Sequence, residues 1–184
     1  MDNKIKVLAI CGSLRKGSYN KMVLNEAIKL ASEAMEIEVA EIGDLPLFNQ
    51  DLEADPPSSV IRFREHVKNA DALLFVTPEH NYSVPAVLKN ALEWGSRPYA
   101  NAVMNRKPAA MMGASNGMLG TGRGQYHLRQ ICVQIDIYAM NRPEVMIPFV
   151  KEKFDENGNL IDEKTRSKIK ELLDALVVWT KKFS

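Results

Sequence analysis

The segment that decides the fold is KIKVLAICGSLRKGSYN, residues 4–20. Its first part is an aliphatic run that predicts a strand, and its last part leads into a helical pattern. Between them, Gly12 and Gly17 have the G-x-x-x-x-G spacing of a nucleotide-binding P-loop. They are followed by Ser18 and Tyr19, where a P-loop has Lys and then Ser or Thr. The segment therefore predicts a strand, a loop and a helix, with a loop that suits a phosphate monoester better than a nucleoside triphosphate.

The loop itself is rich in hydroxyl and amide side chains. Ser13, Ser18, Tyr19 and Asn20 can complete a cage of hydrogen-bond donors, and Arg15 adds positive charge at its rim. The loop leads into a helix N-terminus, where unpaired N–H groups and the helix dipole favour an anion. The alternative interpretation is a plain turn between strand and helix, with Ser18 or Asn20 as the helix N-cap.

Strand-like and helix-like segments alternate along the rest of the chain, without internal repeats or linkers. The runs ADALLFVT (70–77) and PAAMMGAS (108–115) are almost continuously apolar, which is typical of strands buried on both faces. The alternation predicts an α/β fold with a five-stranded parallel sheet and helices on both faces. Ser83 and Asp162 are the expected N-caps of the third and fifth helices. The predicted strands are 4–10, 37–42, 70–77, 108–115 and 144–147, and the predicted helices are 20–35, 58–69, 84–94, 121–135 and 163–182.

Ligands of such sheets bind beyond the carboxyl ends of the strands, which directs attention to the loops after the first, third and fourth strands. The second of these loops is PEHNYS, residues 78–83, which Pro78 and Pro85 stiffen. Its backbone amides, with His80, Asn81 and Tyr82, suit the edge of a flat heterocycle. The alternative is a rigid turn in which Glu79 is an exposed, solvated acid.

The third loop is SNGMLGTGRG, residues 115–124, with four glycines in ten residues. Glycines allow the backbone to approach a ring or a partner closely. An ordinary glycine-rich surface turn is the alternative, so this loop is weak evidence when taken alone.

Length and composition exclude several classes of protein. A chain of 184 residues predicts a single domain spanning residues 1–184. Hydrophobic residues at 46% and charged residues at 26% are ordinary globular values, and a net charge of +1 gives no bulk attraction to nucleic acid or anionic membranes. No apolar run is long enough for a membrane span or a signal peptide. Cys11 and Cys132 form no C-x-x-C motif, so we expect a cytoplasmic protein with reduced thiols.

The distribution of charge is more informative than its total. Residues 3–25 contain five basic side chains and no acid, and so do residues 94–135. Two acid-free stretches in a nearly neutral chain favour an anionic ligand between them. Chance and solvated basic faces are the alternative explanation.

Taken together, the three loops resemble those of the NAD(P)H-dependent FMN reductase family. The resemblance rests on GSLRKGSYN (12–20), on PEHNYSVPAVLKNALEW (78–94) and on the loop at 115–124 followed by QYHLRQ. It covers roughly residues 4–180. Members of the family are flavodoxin-like, so the resemblance implies the strand order 2-1-3-4-5 and a bound FMN whose 5′-phosphate lies in the first loop.

The resemblance also implies which residues contact FMN. The first loop would surround the phosphate and the ribityl chain, the second would line the isoalloxazine largely through backbone groups, and the third would contact the other side of the ring. The family usually has an aromatic residue, most often Tyr, where this chain has His80, and imidazole is smaller and can carry charge. The implied contacts are Ser13, Arg15, Ser18, Tyr19, Asn20, Pro78, Glu79, His80, Asn81, Tyr82, Ser115, Gly117 and Gly120.

In such proteins the flavin carries the redox chemistry and the protein supplies binding, orientation and electrostatics. The implied cycle is ping-pong: NADPH or NADH passes a hydride to flavin N5 and leaves, and a quinone, azo compound, chromate or free flavin then takes the electrons. We therefore expect no catalytic side chain and no metal site, because the sequence contains neither a nucleophile motif nor a ligand cluster. Arg15 and Arg123 are the expected guides for the phosphates of NADPH.

The family is typically dimeric or tetrameric, so a homodimer or homotetramer is expected. Arg123, Tyr126 and Glu144 match positions that join a hydrogen-bonded contact between dimers in tetrameric relatives. A surface salt bridge of little consequence is the alternative for these residues.

Two other functions remain open from the sequence. One is a flavodoxin-type electron carrier, and the other is a flavin-bound redox sensor; neither turns over NAD(P)H directly. Carriers are usually strongly acidic, so the net charge of +1 disfavours the first. Nothing in the sequence excludes the second.

Overall fold

The computed structural model describes residues 4–183, which are built around a parallel β-sheet. The strands lie in the order β2-β1-β3-β4-β5, and β6 pairs with β4 on the same side as β5. This is the predicted order with one strand added. The strands are β1 (Ile5–Cys11), β2 (Met35–Val39), β3 (Ala72–Val76), β4 (Pro108–Ala114), β5 (Tyr138–Ala139) and β6 (Val145–Ile147).

Helices cover both faces of the sheet, as the sequence predicts. One apolar cluster joins the first and fifth helices to one face, and a second joins the other three helices to the opposite face. The two clusters exist because β1, β3 and β4 send alternate apolar side chains to opposite faces of the sheet. The helices are α1 (Tyr19–Leu30), α2 (Ser58–Asn69), α3 (Ala86–Gly95), α4 (Gly122–Ile135) and α5 (Glu163–Thr180), with short 3₁₀ helices at Gln50–Leu52, Tyr99–Asn101 and Val150–Lys153.

The far edge of the sheet differs from the prediction. The predicted fifth strand is β6, and it pairs with the last part of β4, from Met112 to Ala114. The strand beside the first part of β4 is β5, which the sequence analysis missed. A two-residue strand is too short to show an alternating pattern, so its presence depends on the exposed edge of β4 rather than on its own sequence.

The ends of the helices are predicted less well than their positions. Helix α3 begins at Ala86 with Pro85 as its N-cap residue, so the prediction of Ser83 as N-cap is wrong. Ser83 instead pairs with His80 through two backbone hydrogen bonds of 2.9 and 3.0 Å, which close the turn between them. The predicted cap of α5 is confirmed: the Asp162 carboxylate accepts a hydrogen bond from the Thr165 N–H at 2.9 Å.

The cap of α5 gives a prediction about stability. Hydrogen bonds from Thr165, and then the neighbouring Lys153 ammonium at 3.0 Å, lower the pKa of Asp162 to about 2. Asp162→Ala should lower the free energy of unfolding at pH 7 by about 1–2 kcal/mol, because the cap is lost. Since the folded-state pKa is depressed, this stabilisation is complete above the unfolded pKa of about 4 and disappears as the pH falls towards 2.

Urea denaturation from pH 7 to pH 2.5 measures this effect. Asp174→Ala is the matched control, because Asp174 lies on the same helix in an exposed ion pair with Lys170 and should cost no more than about 0.5 kcal/mol. If the free energy of unfolding of Asp162→Ala stayed below that of the unmodified protein by the same amount down to pH 2.5, the ionised Asp162 carboxylate would not be the stabilising cap of α5.

Candidate functional site

The three predicted loops meet at the carboxyl ends of β1, β3 and β4, where they enclose a cavity of about 540 Å³. Residues 12–15 and 18–20 form one wall, residues 78–80 another, and residues 114–116 a third. The first turn of α3, at 85–87, completes the lining. The cavity therefore lies where ligands bind in parallel sheets of this kind.

Most of the predicted site residues line this cavity. Those that do are Ser13, Arg15, Ser18, Tyr19, Asn20, Pro78, Glu79, His80 and Ser115. Asn81, Tyr82, Gly117 and Gly120 belong to the same loops and do not line it. Further lining residues that the sequence analysis missed are Gly12, Leu14, Pro85, Ala86, Val87, Ala114 and Asn116. Three of them, at 85–87, belong to the apolar segment directly after the second loop, and that position in the sequence could have indicated that they line the site.

A larger cavity of about 780 Å³ lies on the opposite side of the first loop, against the end of β2. Ser13, Leu14 and Ser18 line both cavities. The larger one is bounded by α1, residues 39–44 and the turn at 157–158, without any residue of the second or third loop. We therefore place the candidate site in the smaller cavity, where all three loops contribute.

The first loop has the properties of a phosphate site. Ser18 is the buried N-cap residue of α1, and its side chain makes no capping hydrogen bond. The first hydrogen bond of the helix runs from Met22 N–H to Ser18 O at 3.1 Å, so the N–H groups before Met22 precede the helical ladder. The first turn carries no acid, and Arg15 is exposed beside the Tyr19 ring. An uncommitted hydroxyl, helix N–H groups and a guanidinium fit the phosphate of FMN.

Asn20 has a contact that the sequence did not indicate. Its side chain is buried, and its amide donates to Ala114 O and accepts from Ala114 N–H, both at 2.9 Å. Strand β3 ends at Val76, opposite Met112, so β4 runs two residues beyond it. The Asn20 carboxamide takes the place of the missing strand at Ala114 and joins the first loop to the end of β4, where the third loop begins.

In the second loop, Glu79 is not the exposed acid of the alternative interpretation. Its side chain is only 6% exposed. It accepts hydrogen bonds from Arg123 Nε at 2.7 Å and from the Gly124 N–H at 3.0 Å, both at the start of α4. The backbone N–H of His80 is already bonded to Ser83 O, so it is committed within the loop. Backbone contacts of this loop with a ring must therefore come from other amides.

In the third loop, Gly120 is required by close packing against β6. Gly120 has φ +60°, and a Cβ there would lie 2.9 Å from the backbone nitrogen of Ile147 in β6. Ser115 Oγ bonds to Gly120 O and accepts from the Gly117 N–H at 3.2 Å, which closes the loop on itself. Gly120 is thus explained by contact with β6, whereas Ser115 and Asn116 face the cavity.

The family described as NADPH-dependent FMN reductase matches residues 5–152 of the chain. The chain belongs to this family. It is 51% identical to an NAD(P)H-dependent FMN reductase of Pseudomonas aeruginosa, over 99% of this chain and 98% of the relative. It is 40% identical to a 2-hydroxy-1,4-benzoquinone reductase of a Burkholderia species, over 96% and 97% of the two chains.

Among solved structures, this member of the FMN reductase family is similar to FerB, a flavoenzyme NAD(P)H:(acceptor) oxidoreductase from Paracoccus denitrificans. The two share 37% identity and superpose with a TM-score of 0.90, over 97% of this chain and 98% of FerB. The flavodoxin-like fold and the family predicted from the three loops are therefore both confirmed.

The three predicted interface residues of this family member form two separate contacts within the chain. Arg123 pairs with Glu79, and the exposed Tyr126 donates to Glu144 Oε1 at 3.1 Å. Arg142 also pairs with Glu144 at 3.3 Å. Because Arg123 is engaged with Glu79 and does not line the cavity, Arg15 is the better placed of the two arginines that were expected to guide a phosphate.

Among residues 4–183, the two cysteines and the potential metal ligands form no second reactive centre. Cys11 and Cys132 are unpaired and buried. Burial raises the pKa of the Cys11 thiol and raises that of Cys132 to about 12, so neither is a ready thiolate. Within residues 4–183, no three His, Cys, Asp or Glu side chains are grouped so that they could hold a metal ion. Over the same residues, no helix combines the length and the apolar character needed to cross a membrane.

Proposed function

We propose that this chain is a flavoenzyme that binds FMN in the three-loop cavity and reduces quinones and other small oxidants with NADPH or NADH. The observation that carries the proposal is the convergence of a phosphate-type loop with two further loops of the FMN reductase pattern around one cavity. Relatives named as FMN reductase and benzoquinone reductase, each similar over nearly the whole chain, support the same activity. The bound FMN would supply the redox chemistry, and the protein would supply its binding, orientation and electrostatic surroundings.

The protein's own contribution is to bind and orient the flavin. Ser13, Arg15, Ser18 and Tyr19 are proposed to hold the phosphate and ribityl chain, because they line the wall that leads into α1. Asn20 belongs to the same wall and is proposed to shape it through Ala114.

The other two loops are proposed to receive the isoalloxazine. The ring would lie between residues 78–80 on one side of the cavity and Ser115 on the other. Asn81, Tyr82, Gly117 and Gly120 remain predicted contacts that would act from outside the lining. His80 is exposed at the cavity, so its imidazole is available to the flavin or to an acceptor.

Self-association as a homodimer or homotetramer is part of the proposal. Exposed apolar side chains in the third loop and on α4 support it, since Met118, Leu119 and Val133 each leave half or more of their surface to solvent. Two unpaired thiols support a reducing compartment such as the cytoplasm. The residues 1–184 are proposed to act as one domain.

The test is an absorbance spectrum of the purified protein before and after anaerobic addition of NADPH. Flavin bands at roughly 370 and 450 nm, bleached by NADPH and restored by a quinone over many turnovers, are the expected result. Bands that NADPH leaves unchanged would favour an electron carrier or a flavin-bound redox sensor. A colourless protein that fails to take up added FMN would contradict the assignment of the cavity.

A further inference from the structure

Arg123, in the first turn of α4, forms an ion pair with Glu79 of the second loop. Two guanidinium nitrogens of Arg123, Nε and Nη2, lie 2.7 and 2.6 Å from Oε1 of Glu79. The other carboxylate oxygen accepts the Gly124 N–H at 3.0 Å. The carboxylate is nearly buried and sits at the N-terminus of α4, where the helix dipole also favours a negative charge. Contacts from the first turn of α4 therefore fix the position of the Glu79 carboxylate.

The same guanidinium holds the tip of the loop. The Tyr82 ring stacks on it, with the guanidinium carbon 3.5 Å from the ring centroid. Asn81 and Tyr82 have φ values of 50° and 67°, which residues other than glycine adopt at a cost in free energy. Two backbone hydrogen bonds between His80 and Ser83 close this turn from within, and the Tyr82 stack on Arg123 adds a contact from outside it.

Helix α4 also touches the loop at a third point. His127 Nδ1 lies 3.0 Å from Ser83 Oγ, and a Cβ on Gly124 would come within 3.1 Å of Ser83 O. These contacts place α4 against the outside of the loop. On the inside, the loop lines the candidate cavity through residues 78–80.

We propose that Arg123 is a positioning residue for the flavin site. It acts through Glu79 and Tyr82 to hold the second loop in the shape that receives the isoalloxazine, without touching the flavin itself. This inference rests on the proposed function of the cavity. It gives Arg123 a role inside each subunit, which differs from the contact between dimers that the sequence suggests.

Four variants test the inference. Arg123→Ala should weaken FMN binding at least tenfold. Arg123→Lys should restore it only in part, because one ammonium group cannot both pair with Glu79 and stack on Tyr82 as a guanidinium does. Glu79→Gln should resemble Arg123→Ala, because it removes the charge of the carboxylate that two Arg123 nitrogens contact. The double variant should be no weaker than the worse single one, because both changes break the same contact.

Three measurements separate positioning from a general loss of structure. The dissociation constant for FMN is measured by fluorescence quenching, and the visible circular dichroism of the bound flavin reports its surroundings. Hydrogen exchange at the His80 and Ser83 N–H groups, which bond to each other's carbonyls, reports the loop whether or not FMN is present. We expect exchange at both amides to accelerate at least tenfold in Arg123→Ala, with an unchanged unfolding temperature.

Arg62→Ala is the matched control. Arg62 lies on α2 and does not line the candidate cavity, and its side chain is 40% exposed, against 42% for Arg123. It pairs with Asp44. Its FMN affinity and loop exchange should equal those of the unmodified protein. FMN affinity and loop exchange that are unchanged in Arg123→Ala would overturn the inference, as would a Glu79→Gln variant that binds FMN normally. Failure of the proposed function would give a different result, because the unmodified protein itself would then take up no FMN. Hydrogen exchange at the His80 and Ser83 N–H groups would still test whether Arg123 stabilises the second loop.

Discussion

Gly113→Ala is expected to destabilise the protein by about 3 kcal/mol or more, because β4 has no room for a methyl group at this position. A Cβ on Gly113 would overlap the carbonyl oxygen of Thr77 and Oγ1 of Thr121. The Thr77 carbonyl is backbone and cannot rotate away as a flexible side chain would. Relief of the overlap therefore requires β3 and β4 to separate where both of them end.

The same overlap should also damage the flavin site. Thr77 directly precedes Pro78, so a shift of the Thr77 carbonyl moves the loop that lines one side of the cavity. We expect Gly113→Ala to bind FMN at least tenfold more weakly, in addition to its loss of stability. Urea denaturation of the FMN-free protein measures the first effect, and FMN titration measures the second.

Gly17→Ala is the control for the loss of stability. A Cβ there meets no atom within 4 Å, so its free energy of unfolding should change by no more than about 0.5 kcal/mol. A Gly113→Ala variant as stable as Gly17→Ala would show that β3 and β4 can separate at little cost, contrary to the packing described.

The fold could be predicted from the sequence because its signals are local. The runs 72–76 and 108–114 are apolar throughout, and each is followed by a segment with helical periodicity. Strand β5 could not be predicted in this way, because Tyr138 and Ala139 form a strand only where β4 offers an unpaired edge. The N-cap of α3 was misplaced for a related reason: Ser83 is occupied by its pairing with His80.

The site was predicted as a set of loops, and its internal contacts were not. The three loops follow strands whose carboxyl ends share one edge of a sheet, so their convergence follows from topology. The pairing of Glu79 with Arg123 joins residues 44 positions apart, and that of Asn20 with Ala114 joins residues 94 positions apart. Neither has a periodic or motif-like signal in the sequence. Both contacts form because the packing of helices and strands brings distant parts of the chain together.

Asn20→Ala is expected both to destabilise the protein and to disturb the first loop. The variant would leave both the N–H and the C=O of the buried Ala114 without their present partner, and each such group costs about 1–3 kcal/mol. We therefore expect a loss of stability of about 2–6 kcal/mol. Because Asn20 also joins the first loop to the end of β4, where the third loop begins, the cavity should open and FMN affinity should fall at least tenfold.

Two further variants isolate the role of the carboxamide. Asn25→Ala makes the same substitution at an exposed position of α1, and its stability should change by less than about 0.5 kcal/mol. Asn20→Asp keeps an acceptor for the Ala114 N–H but loses the donor to Ala114 O, and it places a negative charge beside the proposed phosphate site. We expect Asn20→Asp to be no more stable than Asn20→Ala at pH 7, because its buried carboxylate would face the Ala114 carbonyl oxygen as an unpaired charge. It should also bind FMN no better, and urea denaturation and FMN titration measure the two effects. If Asn20→Ala bound FMN as tightly as Asn25→Ala, the first loop and the end of β4 would be held together by something other than this amide.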